Sequence, residues 1–298
     1  MTIRCVLQAR SALGEGALWS AAERCLYWID QMRPEIHRFD PSTGLDHNLD
    51  IDLPEQLGAL VPRVAGGHLL AASDGFSLID PAFSSRTPLV NPIADRPRAS
   101  FNDAKVNRDG RLFAGTTDRL ESDKIGQLFS LGLGEQPRLV ADGFICSNGP
   151  SFSPDGRRIY HTRSHDREIW VYEVAEDGTL RHGEVFARIA ADEGIPDGST
   201  VDAEGHLWST HWDGARITRY RPDGSIERVV ETPCRSPTSC AFGGDDLGTL
   251  FFTSASITMI DGTWIFMDEA GFQAAPTAGG LFAFTPGVTG LPEPGFHG

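Results

Sequence analysis

One phrase recurs along this chain: an apolar residue, a tight Asp-Gly-type turn, then an alternating strand. It reads VNRDGRLFAGTT from Val106, FSPDGRRIYHTR from Phe152 and VDAEGHLWSTHW from Val201. Looser copies are LWSAAERCLYWID from Leu18, VAGGHLLAASDG from Val64 and FGGDDLGTLFFTSA from Phe242. Anchored on Glu23, Gly67, Asp109, Asp155, Glu204 and Asp246, the copies follow one another every 42–49 residues. Such a period marks a repeat architecture, in which each unit buries its apolar face only against its neighbours. Six units fill the 298 residues without a linker, so residues 1–298 are expected to form a single domain.

Within a unit the apolar period is two. Arg111-Leu112-Phe113-Ala114-Gly115-Thr116 and His206-Leu207-Trp208-Ser209-Thr210 read as short strands, followed by strands such as Glu168–Tyr172 and Arg216–Tyr220. Asp-Gly pairs between alternating runs are the strongest short-range hairpin signal. No stretch of 12 or more residues carries a helical stripe. Radially repeated four-stranded units of this length predict an all-β, six-bladed propeller. A propeller left open exposes an unpaired edge. Residues 2–8 (TIRCVLQ) are expected to close the ring by pairing with the last blade, near Gly280–Thr285.

Counting back seven residues from the turn gives Asn102, Asn148 and Asp197 in three units, and the same step from Ala22 gives Glu15. These four occupy one position, the entry to the strand that lines a propeller's channel. In units two and six the equivalent places, Leu57–Leu60 and Pro237–Cys240, are uncharged. Asn and Asp singly are common turn formers; four in register converge on an axis. Two carboxylates in a narrow channel repel, and a buried unpaired carboxylate is costly. A divalent cation relieves both, and oxygen ligation by Glu15, Asn148 and Asp197 suits Ca²⁺, Mg²⁺ or Mn²⁺.

The charge balance narrows the partners. With 26 Lys and Arg against 41 Asp and Glu, the net charge is −15, and no basic cluster is present. Phosphate backbones are repelled by such a surface, so nucleic acid is not an expected partner. No apolar run approaches the roughly 20 residues of a membrane helix, and no membrane partner is expected. The start MTIRCVLQAR lacks the basic and apolar regions of a signal peptide. Five dispersed cysteines without a CxxC indicate neither a disulfide framework nor a zinc ribbon. A reduced, cytoplasmic setting follows as the expectation, with a monomer or small homo-oligomer.

The stretches LGEGALW (13–19), FNDAKVNRDGRLFAGT (101–116), SNGPSFSPDGRRIYHT (147–162), IPDGSTVDAEGHLW (195–208) and TSCAFGGDDLGTLFFT (238–253) resemble the SMP-30/gluconolactonase family, which includes regucalcin and bacterial sugar lactonases. The SNGP and IPDG elements are most similar to the bacterial aldonolactonases. The resemblance implies a six-bladed propeller and hydrolysis of a sugar lactone to the aldonic acid. It also implies one bound divalent metal (Ca²⁺, Mg²⁺, Mn²⁺, Zn²⁺ or Fe²⁺). The implied ligands are Glu15, Asn148 and Asp197, with Asn102, followed by Asp103, at the substrate. Two departures stand out. Many members carry Arg where this chain has Ser100, with Arg98 two residues earlier. The family's acidic substrate residue falls in a variable loop, on Asp118 or Glu121.

With this site the cation would polarise the lactone carbonyl while Asp197 serves as general base to the attacking water. Asn102, Asp103, Ser100 and Glu121 are the candidate substrate contacts. No G-x-S-x-G elbow is present. Cys146, His161, His165 and His211 read as packed residues, one of the histidines with a place near the channel rim. A non-catalytic Ca²⁺-binding propeller and a promiscuous metal-dependent esterase or phosphotriesterase are the alternatives. Residues 254–279, with Trp264 and Phe266, form an atypical insertion whose role, as a cover for the channel or a subunit contact, the sequence leaves open.

Overall fold

The computed structural model describes residues 2–260 and 263–298. Six four-stranded antiparallel sheets follow one another around a ring. Their innermost strands are Gly14–Ser20, Leu57–Pro62, Ala99–Val106, Ser147–Phe152, Ile195–Val201 and Pro237–Gly243. Each of these contacts the next, and the first contacts the last, which closes the circle. The repeated turns join first to second strands, as the spacing predicts.

The period-two pattern has a direct cause: both faces of every sheet are covered by a neighbouring sheet. Along Gly14–Ser20, Leu18 packs with Leu57, Leu60 and Leu70 of the second blade. Its neighbours Ala17 and Trp19 pack with Ala241, Phe251 and Leu281 of the last. Trp19 stacks on Phe251 with ring centroids 5.8 Å apart. The same alternation fills the remaining four interfaces, so the core is six separate apolar layers. Polar side chains that enter these layers are paired in some cases and packed on aromatic rings in others, as His68 is between Tyr27 and Phe83. Trp208, fully buried between the fifth and sixth blades, donates from Nε1 to Asp202 at 2.9 Å.

The ring closes as expected. The last sheet runs Pro237–Gly243, Thr249–Ser254, Leu281–Phe284 and then Arg4–Leu7, with Arg4 opposite Ala283 and Cys5 opposite Phe282. All five cysteines are free thiols. Among the described residues no helix is long and apolar enough to cross a membrane.

A feature absent from the sequence reading is the path of the C-terminal tail. It crosses the end of the ring where the repeated turns lie. Ala203 N–H donates to Thr289 O, Gly290 N–H to Leu247 O, and His297 N–H to Gly110 O. Phe296 is buried in the layer between blades two and three. Glu293 reaches into the channel and pairs with Lys105 at 3.3 Å. The opposite end of the channel stays free of the tail.

Removal of residues 1–8 should expose the Leu281–Phe284 edge and uncover Phe282. The truncated chain is expected to lose its cooperative melt and to elute as aggregate. A monomeric species with an unchanged melting curve would show that closure by this strand is dispensable.

Candidate functional site

Every inner strand loses register at the same level. The shifts fall between Glu15 and Leu18, Leu57 and Ala59, Phe101 and Asp103, Asn148 and Ser151, Pro196 and Ser199, and Pro237 and Cys240. A bulge opposes an extra residue to one partner and bends its strand, which re-aims the side chains beside it. The four aligned polar residues lie at or next to these bulges. Glycine permits the crowding there. A Cβ on Gly198 would lie 2.7 Å from Thr238 O, and one on Gly149, at φ +48°, would lie 2.7 Å from Ser199 Oγ.

At the end of the channel away from the tail lies a cavity of about 280 Å³. Glu15, Asn102, Asn148 and Asp197 all line it, each at most 9% exposed. Hydrogen bonds fix the two carboxamides. Asn148 Nδ2 donates to Ser164 Oγ at 3.0 Å, which fixes its Oδ1 as the acceptor end. Asn102 Nδ2 donates to that Oδ1 at 2.8 Å and to Ser147 O at 3.1 Å. Gln31 Nε2 donates to Asn102 Oδ1 at 3.2 Å.

The carboxylates are in a different condition. Glu15 accepts from the N–H of Gly16 at 3.2 Å, and among the described residues neither it nor Asp197 forms an ion pair. Burial pushes the Glu15 carboxyl well above its ordinary range, and the charges of Asp197 and Asp103 add to that rise. Asp197 is raised likewise, by burial first and then by Asp103 and Glu121. Like charges held out of water are disfavoured unless a cation or protons compensate.

No three His, Cys, Asp or Glu side chains gather as a ready-made metal cluster among the described residues. The donor set is instead two carboxylates and a carboxamide oxygen. Uncompensated buried carboxylates beside an oriented amide oxygen suit a hard divalent cation, which takes oxygen ligands and keeps water in its remaining positions. The residues present therefore fit such an ion.

The remaining expected site residues separate into two groups. Glu121 lines the cavity, with His165 Nε2 3.4 Å from its carboxylate. Its backbone is left-handed at φ 50°, an uncommon conformation for a non-glycine residue and one retained where surrounding structure imposes it. Asp118 is the residue that imposes it. Its carboxylate, fully buried, accepts from Arg98 Nε at 3.1 Å and from the N–H groups of Leu120, Ser122 and Asp123 at 3.3, 3.1 and 2.9 Å. Burial alone would raise its pKa, but the Arg98 guanidinium and these N–H groups hold it at about 2. Asp118 thus organises the loop, and Arg98 is spent on that loop, also pairing with Asp123 at 2.8 Å.

Ser100 and Asp103, expected as substrate contacts, are not among the residues that line this cavity. Ser100 is fully buried and donates to Phe101 O at 3.2 Å. Asp103 comes after the bulge and lies farther down the channel, accepting from Gly149 N–H at 2.7 Å and Ala104 N–H at 2.8 Å. Burial raises its pKa to about 6 against the opposing charge of Lys105. Side chains alternate sides along a strand, so Asp103 faces away from the cavity that Asn102 lines.

Cys146 is buried at the cavity wall, and burial pushes its thiol well up, away from nucleophilic use. His161 and His211 are packed, with His161 Nε2 2.7 Å from Ser147 Oγ. His165 is the histidine at the rim. Trp264, of the insertion noted in the sequence, lines the cavity; Gln31, Arg119, Ser164, Trp212 and Met259 also line or brace it without having been singled out. They stand on second strands, loops and the insertion, where no repeat phase points to them.

The profile described as the SMP-30/Gluconolactonase/LRE-like region matches residues 13–256, from the first inner strand into the last blade. The chain is 34% identical to the 6-deoxy-6-sulfogluconolactonase of Pseudomonas putida, over 100% of this chain and 99% of that one. It is 34% identical to the pentonolactonase XacC of Haloferax volcanii, over 98% and 97%. Among solved structures it is similar to a calcium-binding protein, regucalcin, from Agrobacterium tumefaciens, with a TM-score of 0.90 and 26% identity over 99% and 97% of the two chains. With six closed blades and a site at the strand entries as well as this match, the chain belongs to the SMP-30/gluconolactonase family.

Proposed function

We propose that this protein is a metal-dependent sugar lactonase that opens an aldonolactone to the aldonic acid. The observation that carries the reading is the convergence of Glu15, Asn148 and Asp197, with Asn102 beside them, on one buried cavity. The names of the two lactonase relatives support the reaction class.

Glu15, Asn148 and Asp197 would hold one divalent cation, which supplies Lewis acidity at the lactone carbonyl. Asp197 takes the proton of the attacking water at its carboxylate and returns it to the ring oxygen as the C–O bond breaks. Like Glu15 it lines the cavity with no partner side chain, so its carboxylate is available to a water bound there. Asn102 and Glu121 hold sugar hydroxyls and so fix the carbonyl relative to Asp197, replacing a loose encounter by a positioned one. Asp103 and Ser100 support the inner strand, and Asp118 holds the loop that presents Glu121 and Arg119.

A panel of δ- and γ-aldonolactones with an aryl ester and a phosphotriester, assayed with and without EDTA, tests the proposal. Aldonolactone turnover should be lost with EDTA and restored by a divalent ion. Asp197→Ala should lower turnover on the order of 10³-fold and weaken metal binding together. Retained hydrolysis in that variant would dismiss Asp197 from its role. Turnover of the ester or phosphotriester alone would favour the esterase reading, and metal binding without any turnover the non-catalytic one.

The raised carboxyl groups give a pH prediction. In the metal-free protein Glu15 and Asp197 bind protons more readily than in the unfolded chain, so their contribution to stability declines as pH rises through their titration. A cation must displace those protons. The rise in Tm on adding Ca²⁺ or Mn²⁺ should therefore be larger at about pH 7.5 than at about pH 5. An increment independent of pH would argue against ligation by these two groups.

A further inference from the structure

The chemistry above makes no use of the insertion in the last blade. Residues 255–280 intervene between the strands Thr249–Ser254 and Leu281–Phe284, far more chain than the two to five residues or so that usually join antiparallel neighbours. The insertion contains a hairpin, Thr258–Ile260 paired with Thr263–Ile265, and a short helix, Glu269–Ala274. Residues 261 and 262 lie outside the described residues.

The insertion is fastened to the body of the ring. The N–H groups of Ser256 and Ile257 donate to Ala12 O, and Ser256 Oγ donates to Ser11 O at 2.6 Å. Arg10 pairs with Glu269 at 2.9 Å and lies 4.9 Å from the centre of the Phe272 ring. Ala12, Leu13, Ala255 and Ile257 form a buried cluster against which Trp212 and Trp264 pack. So anchored, the hairpin places Met259 and Trp264 in the wall of the cavity that also holds Glu15, Asn148 and Asp197. Trp212, on the second strand of the fifth blade, meets Trp264 edge-to-face, with centroids 6.0 Å apart and planes at 76°.

The cavity therefore has two characters. One part carries carboxylates and carboxamides; the other is apolar and aromatic. A cyclic sugar has the same division, with hydroxyl groups around its edge and a face of C–H groups. Those C–H groups bear slight positive charge and pack favourably on the electron-rich face of an aromatic ring. An acyclic polyol has the hydroxyls but no fixed C–H face.

We propose that Trp264, held against Trp212, is a specificity-determining residue: the aromatic platform on which the C–H face of a cyclic sugar rests. The insertion is then a substrate wall of the active cavity. The assignment deepens the lactonase reading and rests on it for the identity of the reaction, but ring recognition itself can be measured without turnover.

Isothermal titration calorimetry with 1,5-anhydroglucitol and with glucitol compares a ring with its open-chain polyol, which has the additional hydroxyls at C1 and C5 and would bind at least as well if hydroxyl contacts alone decided. The wild-type protein, loaded with a divalent ion, should bind the ring about tenfold more tightly. Trp264→Ala should abolish that preference, whereas Trp264→Phe, which keeps an aromatic face, should retain most of it. On a δ-aldonolactone, Trp264→Ala should raise KM about tenfold with kcat within about twofold, the mark of binding lost equally from ground and transition states. An unchanged ring preference in Trp264→Ala, or none in the wild type, overturns the proposal even if lactones are hydrolysed. Conversely, ring preference that depends on Trp264 in a protein with no lactone turnover upholds it while the lactonase reading fails.

Discussion

Everything in this molecule depends on closing a ring of sheets that are each apolar on both faces. A four-stranded sheet with Leu18 on one side and Trp19 on the other cannot stand alone in water. Each sheet is stable only between two others, and six of them reach that condition together when the first and last blades meet. The strand Arg4–Leu7 completes the last sheet and ties the beginning of the chain to its end. Because burial of apolar area is the main favourable term in folding, this mutual covering fixes the radius and the register of the ring.

The functional geometry follows from that closure. Inner strands that must meet at an axis bring their entry residues together, and Glu15, Asn148 and Asp197 have no other place to go. Holding two unpaired carboxylates there works against folding, and both groups resist ionisation as a result. Such strain is common where a site is prepared for a ligand that compensates it. The bulges lie at one level of all six inner strands, next to the residues that line the cavity, and Asn102 lines it while its neighbour Asp103 does not.

Around this axial set the chain adds parts that obey no repeat. The Asp118 carboxylate gathers Arg98 and a row of backbone N–H groups, and the resulting loop carries Arg119 and Glu121 to the cavity. The insertion of the last blade does the same for Met259 and Trp264. The C-terminal tail covers the far end of the channel, with Glu293 paired to Lys105 inside it. Rigid blades thus supply the charged centre, and irregular segments supply the walls, a division seen wherever binding residues ride on loops of a stable scaffold.

The turn spacing, the period of two and the alignment of Glu15, Asn102, Asn148 and Asp197 were readable from the residues, because repeats and alternation are one-dimensional records of how sheets stack. The family was readable too, since the phrases that carry the turns also carry the axial residues. Other matters were decided by folding in three dimensions. Asp118 and Glu121 both border the cavity, but the hydrogen bonds of the loop set them apart: the Asp118 carboxylate is occupied by Arg98 and backbone N–H groups, whereas Glu121 faces His165. Ser100 and Asp103 lie near Asn102 yet do not line the cavity: Asp103 falls on the opposite side of the strand, and Ser100, before the bulge, is fully buried. The insertion became a wall through contacts with Ser11 and Ala12, far away along the chain. Local patterns record what neighbours in sequence must do; contacts between distant segments depend on the closed ring, which exists only once every blade is in place.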